Sequence, residues 1–321
     1  MTLAQLQSFV TVARLGSVKA AARSLGVSEP AVSGAVRALR RELGDRLYLR
    51  SGGGLELTPG GQRLAAAGGE ILGLAEQARR AVREARGRTT TLRVAATAPV
   101  AEFAAGPLLE AFTRRNAGVE VALQVAPGFA FATLLTDRLV DVALGPRPAG
   151  DAGGGIESVP FLRYAMVVVA APGHRLAGRR DLPAAALAGE LWLVGPSGSD
   201  PSTATGEFLA REGLAPRALR AFPSFAAASA QAAAARGITL AIAHTVDDER
   251  KRGSLVALDV SGTPVPGMWH ASMLGPDRRT AAAWALRRFV TTPEATHAML
   301  AGAGGVPAER FRPPVHVSLW S

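Results

Sequence analysis

The segment SLGVSEPAVSGAVRALRRELGDRLYLR, residues 24–50, decides the fold of the N-terminal part of this 321-residue chain. Gly26 is expected to end one helix, and the Ser28 hydroxyl is placed to cap the helix that follows. Four apolar side chains recur in that following helix at helical spacing: Val32, Val36, Leu39 and Leu43. The spacing predicts a buried stripe, so the segment predicts two helices joined by a tight turn.

An earlier helix is predicted from the residues that precede this segment. Its apolar positions are Leu3, Leu6, Phe9, Val10 and Ala13. Gly16 supplies a stop, and Ser17 is placed to cap the next helix. The apolar face of that next helix holds Val18, Ala21, Ala22 and Leu25. Together with the helix after Ser28, these patterns predict three short helices.

A small hairpin, or wing, is predicted after Gly44. Leu47 and Leu49 alternate with Tyr48 and Arg50, a turn runs from Ser51 to Gly54, and Leu55 and Leu57 alternate with Glu56 and Thr58. Alternation on both sides of a glycine-rich turn is typical of paired strands. Residues 1–58 are therefore predicted to form one winged helical domain.

The surface of this domain predicts DNA binding. A capped helix with a basic exposed side and a neighbouring hairpin match the recognition helix and flanking phosphate contacts of helix-turn-helix proteins. The net charge of +10 also favours a polyanionic partner, although a basic composition can reflect a GC-rich genome. The alternative is an ordinary three-helix bundle whose basic face is merely solvated.

Residues 59–88 predict one long helix that pairs with a second copy of the chain. Thr58 is a good cap for a helix with Pro59 in its first turn. Apolar side chains then follow at seven-residue spacing in two registers, Leu64, Ile71 and Ala78 in one and Ala67, Leu74 and Ala81 in the other. The alternative is a long helix that lies on the protein's own core, but the sparse charges on this seam favour an intermolecular dimer helix. RGRTTT, residues 86–91, is predicted to be a hinge.

The remaining chain predicts an α/β domain over residues 89–302, because strand patterns alternate with helix patterns. Its first lobe is expected over about 92–160 and 263–302, and its second over about 161–262, with two chain crossings between the lobes. GDAGGG, residues 150–155, is predicted to be a surface loop. Residues 303–321 are predicted to be a loosely held tail.

Across nearly the whole first 64 residues, the chain resembles the LysR-type transcriptional regulators. The shared residues are Phe9, Val10, Ala21, Ala22, Ser28, Pro30, Ala31, Ser33, Leu39, Leu43, Gly44, Leu47, Arg50, Leu57, Thr58 and Gly61. The resemblance implies a winged helix-turn-helix, a dimerisation helix and a two-lobed effector domain like the periplasmic binding proteins. It also implies a homo-oligomer, a dimer or a tetramer, that binds promoter DNA and contacts RNA polymerase.

The DNA-reading surface departs from the family at two positions. Glu29 stands where the family usually has Gln, and Gly34 where it often has Arg or another long polar residue. Glu29 suits the first helical turn but repels phosphates, while Gly34 removes a possible base contact. We expect Lys19, Arg37 and Arg50 to contact backbone phosphates. The full predicted DNA-binding set is Ser17, Lys19, Ser28, Glu29, Pro30, Ala31, Ser33, Gly34, Arg37, Arg50 and Ser51.

An effector site is predicted beyond the carboxyl ends of the strands, where helix N-termini offer free N–H groups. The candidate residues are Thr97, Ala98, Pro99, Gly128, Phe129, Ser197, Gly198, Ser199 and His244. For the residues from Ser197 to Ser199, simple helix capping is an equal alternative. Because hydroxyl groups and helix N-termini are expected to converge there, we expect an anionic metabolite as the effector.

The sequence contains few residues or motifs that could support enzyme catalysis. It has no Cys, and its five His show no metal-ligand spacing, so we expect no metal and no cofactor. It also lacks G-x-S-x-G, P-loop and helix-opening G-x-G-x-x-G motifs. Its first residues lack a signal-peptide pattern, and no long apolar run is present, which predicts a soluble, cytoplasmic protein without membrane contact. The alternative function is a cytoplasmic solute-binding or sensor protein whose DNA binding is degraded or non-specific.

Overall fold

The computed structural model describes residues 1–51, 54–85, 89–149, 155–196, 198, 200–201 and 203–301. The chain divides into two compact units. The first unit contains Met1–Thr89 and Thr133–Val140, and the second contains Thr90–Ala132 and the chain from Asp141 onward. The predicted tail, hinge residues 86–88, loop residues 150–154, Ser197 and Ser199 lie outside the described residues. The domain boundaries expected from the sequence stay a prediction.

The first unit begins with the three expected helices, α1 (Leu3–Leu15), α2 (Val18–Leu25) and α3 (Glu29–Leu43). The predicted caps are confirmed, since Ser17 accepts from the Ala20 N–H at 3.3 Å and Ser28 from the Ala31 N–H at 3.4 Å. Each helix ends at a glycine in the left-handed region, where a side chain would be strained.

The core of this unit is built from the predicted apolar stripes, with one exception. Phe9, Val32, Val36 and Leu39 are buried in it. Leu43 was expected to join them but is 45% exposed. It is the last residue of α3, and the stripe is buried only as far as Leu39.

The wing forms from β1 (Tyr48–Ser51) and β2 (Gly54–Leu57), which pair antiparallel. The alternation does not reveal which side chains of the first strand are buried: Tyr48 is buried, while Leu49 is 45% exposed. Leu47 precedes the strand with φ 62° and is itself buried, so the alternation shifts by one residue. The Arg40 guanidinium lies 4.0 Å from the centre of the Tyr48 ring and donates to the Tyr48 carbonyl at 3.1 Å.

The long helix α4 (Pro59–Glu84) starts where the sequence predicts, with the Thr58 hydroxyl accepting from the Gly61 N–H at 2.9 Å. Its buried face is made of Gly61, Gly68, Gly69 and Gly73. A Cβ at Gly68 would lie 2.8 Å from a methyl carbon of Val10, so glycine permits α4 to pack closely on α1. None of the described helices is both long and apolar enough to cross a membrane.

Residues Thr133–Val140 complete the first unit. Asp137 forms an ion pair with Arg14, at the end of α1. A Cβ at Gly73 would lie 2.0 Å from the Asp137 carbonyl oxygen, so this contact also depends on glycine. Burial raises the pKa of the Asp137 carboxyl, and the charge of Arg14 opposes this shift.

A seven-stranded sheet forms the centre of the second unit. Its strands are β3 (Thr90–Ala96), β4 (Val119–Val125), β5 (Val142–Gly145), β6 (Ile156–Ala170), β9 (Thr239–Ile242), β10 (Val256–Ala257) and β11 (Val265–Leu274). The order is β10-β6-β11-β5-β3-β4, and β9 pairs with β6. β3 lies parallel to both β4 and β5, as the predicted βαβαβ lobe requires. Thr90 and Thr91, expected in the hinge, are the first residues of β3.

Helices and a small second sheet cover the large sheet. The second sheet pairs β7 (Leu191–Val194) with β8 (Ala218–Ala221) in parallel. The helices are α5 (Ala98–Val100), which continues through a π-helical turn (Ala101–Ala105) into α6 (Gly106–Arg115), then α7 (Phe131–Thr136), α8 (Ala204–Arg211), α9 (Phe225–Ala233), α10 (Asp247–Lys251), α11 (Ala281–Val290) and α12 (Pro293–Ala301). Trp192 and Phe112 are fully buried between these layers and the strands.

The two expected crossings between lobes are the strands β6 and β11. They pair antiparallel from Val265 opposite Met166 to Leu274 opposite Ile156, with a register shift between Trp269 and His270. β6 begins at Ile156, a few residues before the expected start of the second lobe at about 161, and joins the strands of both lobes in one sheet. These strands place Tyr164, Met166 and Trp269 at the cleft between the lobes.

Candidate functional site

The first candidate surface is the exposed side of α3. Glu29, Pro30, Ala31, Gly34 and Arg37 are all exposed there. Ser33, predicted with them, is half-buried. A helix that buries one stripe in the unit core and exposes the opposite side from its first turn onward has the form of a recognition helix.

Two cations flank this surface. Lys19 of α2 and Arg37 of α3 are exposed, and neither forms an ion pair or hydrogen bond with the described residues. Unpaired Lys and Arg side chains at such positions can bind phosphate without first losing another partner. The side chains of Arg50 and Ser51, predicted in the same set, lie outside the described residues. The DNA contacts of Ser17 and Ser28 stay predictions beside their capping bonds.

Gly34, the second position that departs from the family pattern, is surrounded by open space. A Cβ at Gly34 would meet nothing within 4 Å, so the helix does not need glycine at this position for packing. Glu29 is an acidic residue in the first turn of α3, where the helix dipole favours it. The middle of the exposed face therefore carries no side chain, and its start carries a negative charge.

The second candidate surface is an exposed apolar stripe on α4. Its members are Ala67, Ile71, Leu74, Ala78 and Val82. Ile71 is 41% and Leu74 52% exposed, on the side of α4 away from the glycines that face the unit core. Leu64 was expected in this stripe but is half-buried and packs against the core of its own unit. α4 therefore has two apolar faces, one buried and one exposed.

The third candidate site is a cleft in the second unit with a cavity of about 470 Å³. This volume is in the range of small-molecule sites. Six of the predicted effector-binding residues line it: Thr97, Ala98, Pro99, Gly128, Phe129 and Gly198. Thr97 follows β3 directly and Gly128 follows β4 closely, so the cleft lies at the carboxyl ends of the parallel strands as expected.

His244 is not among the described residues that line the cavity, although Thr245 beside it is. Burial lowers the pKa of His244, and the charge of Asp247 opposes this shift. His244 is half-buried, and its contact with an effector stays a prediction.

Sequence reasoning missed the aromatic walls of the cleft. They are Phe103, Phe129, Tyr164, Phe225 and Trp269, of which only Phe129 was predicted. The Tyr164 and Trp269 rings lie 4.9 Å apart, and the Phe103 and Phe225 rings 6.3 Å apart. Tyr164 and Trp269 come from the crossing strands, and Phe103 and Phe225 from helices of different lobes. No local pattern connects residues so far apart in the chain.

The charges that line the cleft are negative. Asp200 and Glu207 line it, and no Lys, Arg or His is among the described lining residues. The lining hydroxyls expected to hold an anion are present at Thr97, Thr203 and Thr245. The described lining nevertheless does not favour the anionic effector expected from the sequence, because two carboxylates would repel it.

Glu102 joins the two sides of the cleft. It lies in the π-helical turn after α5, and its carboxylate accepts from the Phe225 N–H at 2.9 Å and the Ala226 N–H at 2.7 Å. These donors belong to the first turn of α9, where N–H groups have no partner within the helix. A side chain of the chain itself therefore occupies one of the helix N-termini expected to hold the effector.

We expect Glu102→Ala to speed hydrogen exchange of the Phe225 and Ala226 amides about tenfold, because the substitution leaves both donors without their acceptor. Residue-resolved exchange measured by NMR checks this. Glu110→Ala, which removes an exposed carboxylate paired with Arg114 on α6, is the matched control and should leave both amides unchanged. Equal exchange in the unmodified chain and the Glu102 variant would contradict the contact.

Comparison with known protein families gives a match for each part of the chain. Residues 3–62 match the family described as bacterial regulatory helix-turn-helix protein, lysR family. Residues 85–293 match the family described as LysR substrate binding domain. The first match contains α1, α2, α3 and the wing, and the second contains the cleft.

Three similar proteins each match at least 90% of this chain. A Mycobacterium tuberculosis protein described as an uncharacterized HTH-type transcriptional regulator is 41% identical, with 100% of both chains covered. The HTH-type transcriptional regulator CfxR of Cupriavidus necator is 32% identical over 90% of this chain and 91% of its own. A hydrogen peroxide-bound mutant of Corynebacterium glutamicum OxyR has a similar fold, with a TM-score of 0.51, 25% identity, and 94% of this chain and 96% of that chain covered.

Proposed function

The chain belongs to the LysR family of bacterial transcriptional regulators, and from that premise we propose which surfaces bind DNA, the effector and a second copy. It is a DNA-binding regulator with an effector-binding domain, and not an enzyme. The observation that carries the proposal is the exposed, capped face of α3 flanked by the unpaired Lys19 and Arg37. We place the protein in the cytoplasm, because the DNA of a bacterium lies in that compartment.

On this proposal α3 enters the major groove. Glu29, Pro30, Ala31 and Gly34 face the base edges, while Lys19, Arg37 and Arg50 hold the phosphates on either side. Glu29 is suited to accept from the amino group of a cytosine. Gly34 leaves a gap at the centre of the reading surface, so we expect fewer direct base contacts there than a long side chain would make.

The effector binds in the cleft of the second unit. Thr97 and Gly128 lie between strand ends and helix starts, and Gly198 lies in the connection from β7 to α8, where hydroxyl and N–H groups can orient a small molecule. The aromatic walls supply the apolar contact area. Effector binding changes the closure of the two lobes, and this change alters how the subunits of an oligomer hold the DNA.

The exposed stripe of α4 is the dimer contact. Ile71 and Leu74 are large apolar side chains left in solvent by the chain's own fold, and they recur at the spacing of a helix pair. A dimer presents two copies of α3 to two half-sites. The tetramer and the contact with RNA polymerase that the family resemblance implies remain predictions.

The function is tested by binding of the full chain to the DNA upstream of its own gene and neighbouring divergent genes, beside a scrambled duplex of equal length. We expect site preference to persist at physiological salt, because base contacts survive screening better than phosphate contacts do. If binding is sequence-blind at every salt concentration, the alternative of a sensor with non-specific DNA binding replaces the proposal.

A further inference from the structure

The charge of the cleft is opposite to the charge of the chain. The chain carries a net charge of +10, yet the charged side chains among the described lining residues are Asp200 and Glu207 alone. In the stretch between Pro196 and Thr203, the residues outside the described part are all serine in the sequence, so none of them adds a cation. The described charged groups that line the cleft are therefore both negative.

Glu207 is the carboxylate available to a ligand. Glu207 lies in the first turn of α8 and is exposed, and its carboxylate forms no hydrogen bond or ion pair with the described residues. Its charge acts on Tyr164, whose pKa is raised mainly by burial and further by Glu207.

The walls beside Glu207 suit a ring and a cation. The ring centroids of Tyr164 and Trp269 lie 4.9 Å apart with the rings tilted by 43°, and Phe129 is 70% exposed where it lines the cavity. An exposed phenyl group beside a cavity leaves apolar area that a ligand can cover. Aromatic faces also attract organic cations through the ring quadrupole. A carboxylate next to aromatic rings is the combination that recognises such ligands.

We propose that the effector is a ring-bearing organic cation whose amine or amidine group pairs with Glu207 while its ring packs against Phe129, Tyr164 and Trp269. The inference rests on the proposed function of the cleft and names the chemical class of its ligand. An anion would face two carboxylates, and the N–H groups of α9 that suit an anion already bind Glu102.

The test uses three probes of nearly equal size that differ in charge: 2-phenylethylamine, 2-phenylethanol and phenylacetate. Isothermal titration with the full chain near pH 7 should give the ammonium compound the lowest Kd, at least about tenfold below those of the other two. Equal Kd values for the amine and the alcohol, tighter binding of phenylacetate, or no binding of any probe up to about 10 mM would overturn the proposal.

Three variants assign the preference to Glu207. Glu207→Gln should remove the roughly tenfold advantage of the amine over the alcohol, and Glu207→Lys should transfer the advantage to phenylacetate. Glu120→Gln, which removes an exposed carboxylate at the start of β4, should leave the order unchanged. If Glu207→Gln keeps the advantage, or Glu120→Gln loses it, the assignment to Glu207 is wrong.

Operator binding by the unmodified chain is measured separately. If the chain selects its operator but shows no cation preference, only the ligand class is overturned. If it fails to select any operator, the proposed regulatory function is overturned whatever the probes show.

Discussion

The double variant Ile71→Asp/Leu74→Asp is expected to be a monomer that binds its operator about a hundredfold more weakly than the unmodified chain. Both side chains are exposed on α4, so aspartate should not disturb the unit itself. In a dimer the same positions are buried against their copies, where four carboxylates would be desolvated close together. A monomer also loses the second half-site, and with it the gain from binding two linked sites.

Analytical ultracentrifugation gives the oligomeric state, and fluorescence anisotropy with operator DNA gives the Kd. Gln62→Asp is the matched control, because Gln62 is exposed on the same helix, roughly opposite the stripe by helical geometry. It should remain a dimer with unchanged affinity. A dimeric Ile71→Asp/Leu74→Asp variant would show that α4 does not hold the copies together.

The double variant Lys19→Ala/Arg37→Ala is expected to bind all DNA about a hundredfold more weakly, with little change in the ratio between operator and scrambled duplex. Phosphate contacts contribute affinity without reading sequence, so their loss affects both duplexes alike. A plot of the logarithm of the DNA association constant against the logarithm of salt concentration has a negative slope. Two lost contacts per subunit should reduce the magnitude of this slope by about 1.8 per bound subunit.

Anisotropy titrations at four salt concentrations measure both quantities. Arg114→Ala/Arg236→Ala removes the same charge from exposed positions of the second unit and is the matched control. It should change neither the Kd nor the slope appreciably. If the control weakens binding as much as Lys19→Ala/Arg37→Ala does, net charge and not the α3 surface determines the affinity. A selective loss of operator binding would instead mean that Lys19 or Arg37 reads bases.

The sequence predicted the DNA-binding unit well because its signals are local. Ser17, Ser28 and Thr58 cap helices through bonds to residues three positions away, and Gly16 and Gly26 end helices by their own backbone conformation. Such interactions depend on the neighbouring residues of the chain and hardly on the rest of the fold.

The predictions that failed depended on less local features. The alternation predicted the wing but not which of its side chains face the core, since the positive φ of Leu47 shifts the alternation so that Tyr48 is buried as well as Leu47. Leu64 keeps the heptad spacing yet packs on its own unit, because the glycine face of α4 lets the start of this helix lie close to the core.

By itself, the sequence determined the three helices and their caps, the start of α4, the parallel strands β3, β4 and β5, and the family. The tertiary structure alone decided which aromatic side chains besides Phe129 line the cleft. Tyr164, Phe225 and Trp269 come from distant parts of the chain and meet only because β6, α9 and β11 converge at the cleft. The sequence could not predict the negative charge of the cleft lining for the same reason. The net charge is a sum over the whole chain, whereas a ligand contacts only the few side chains that the fold brings together.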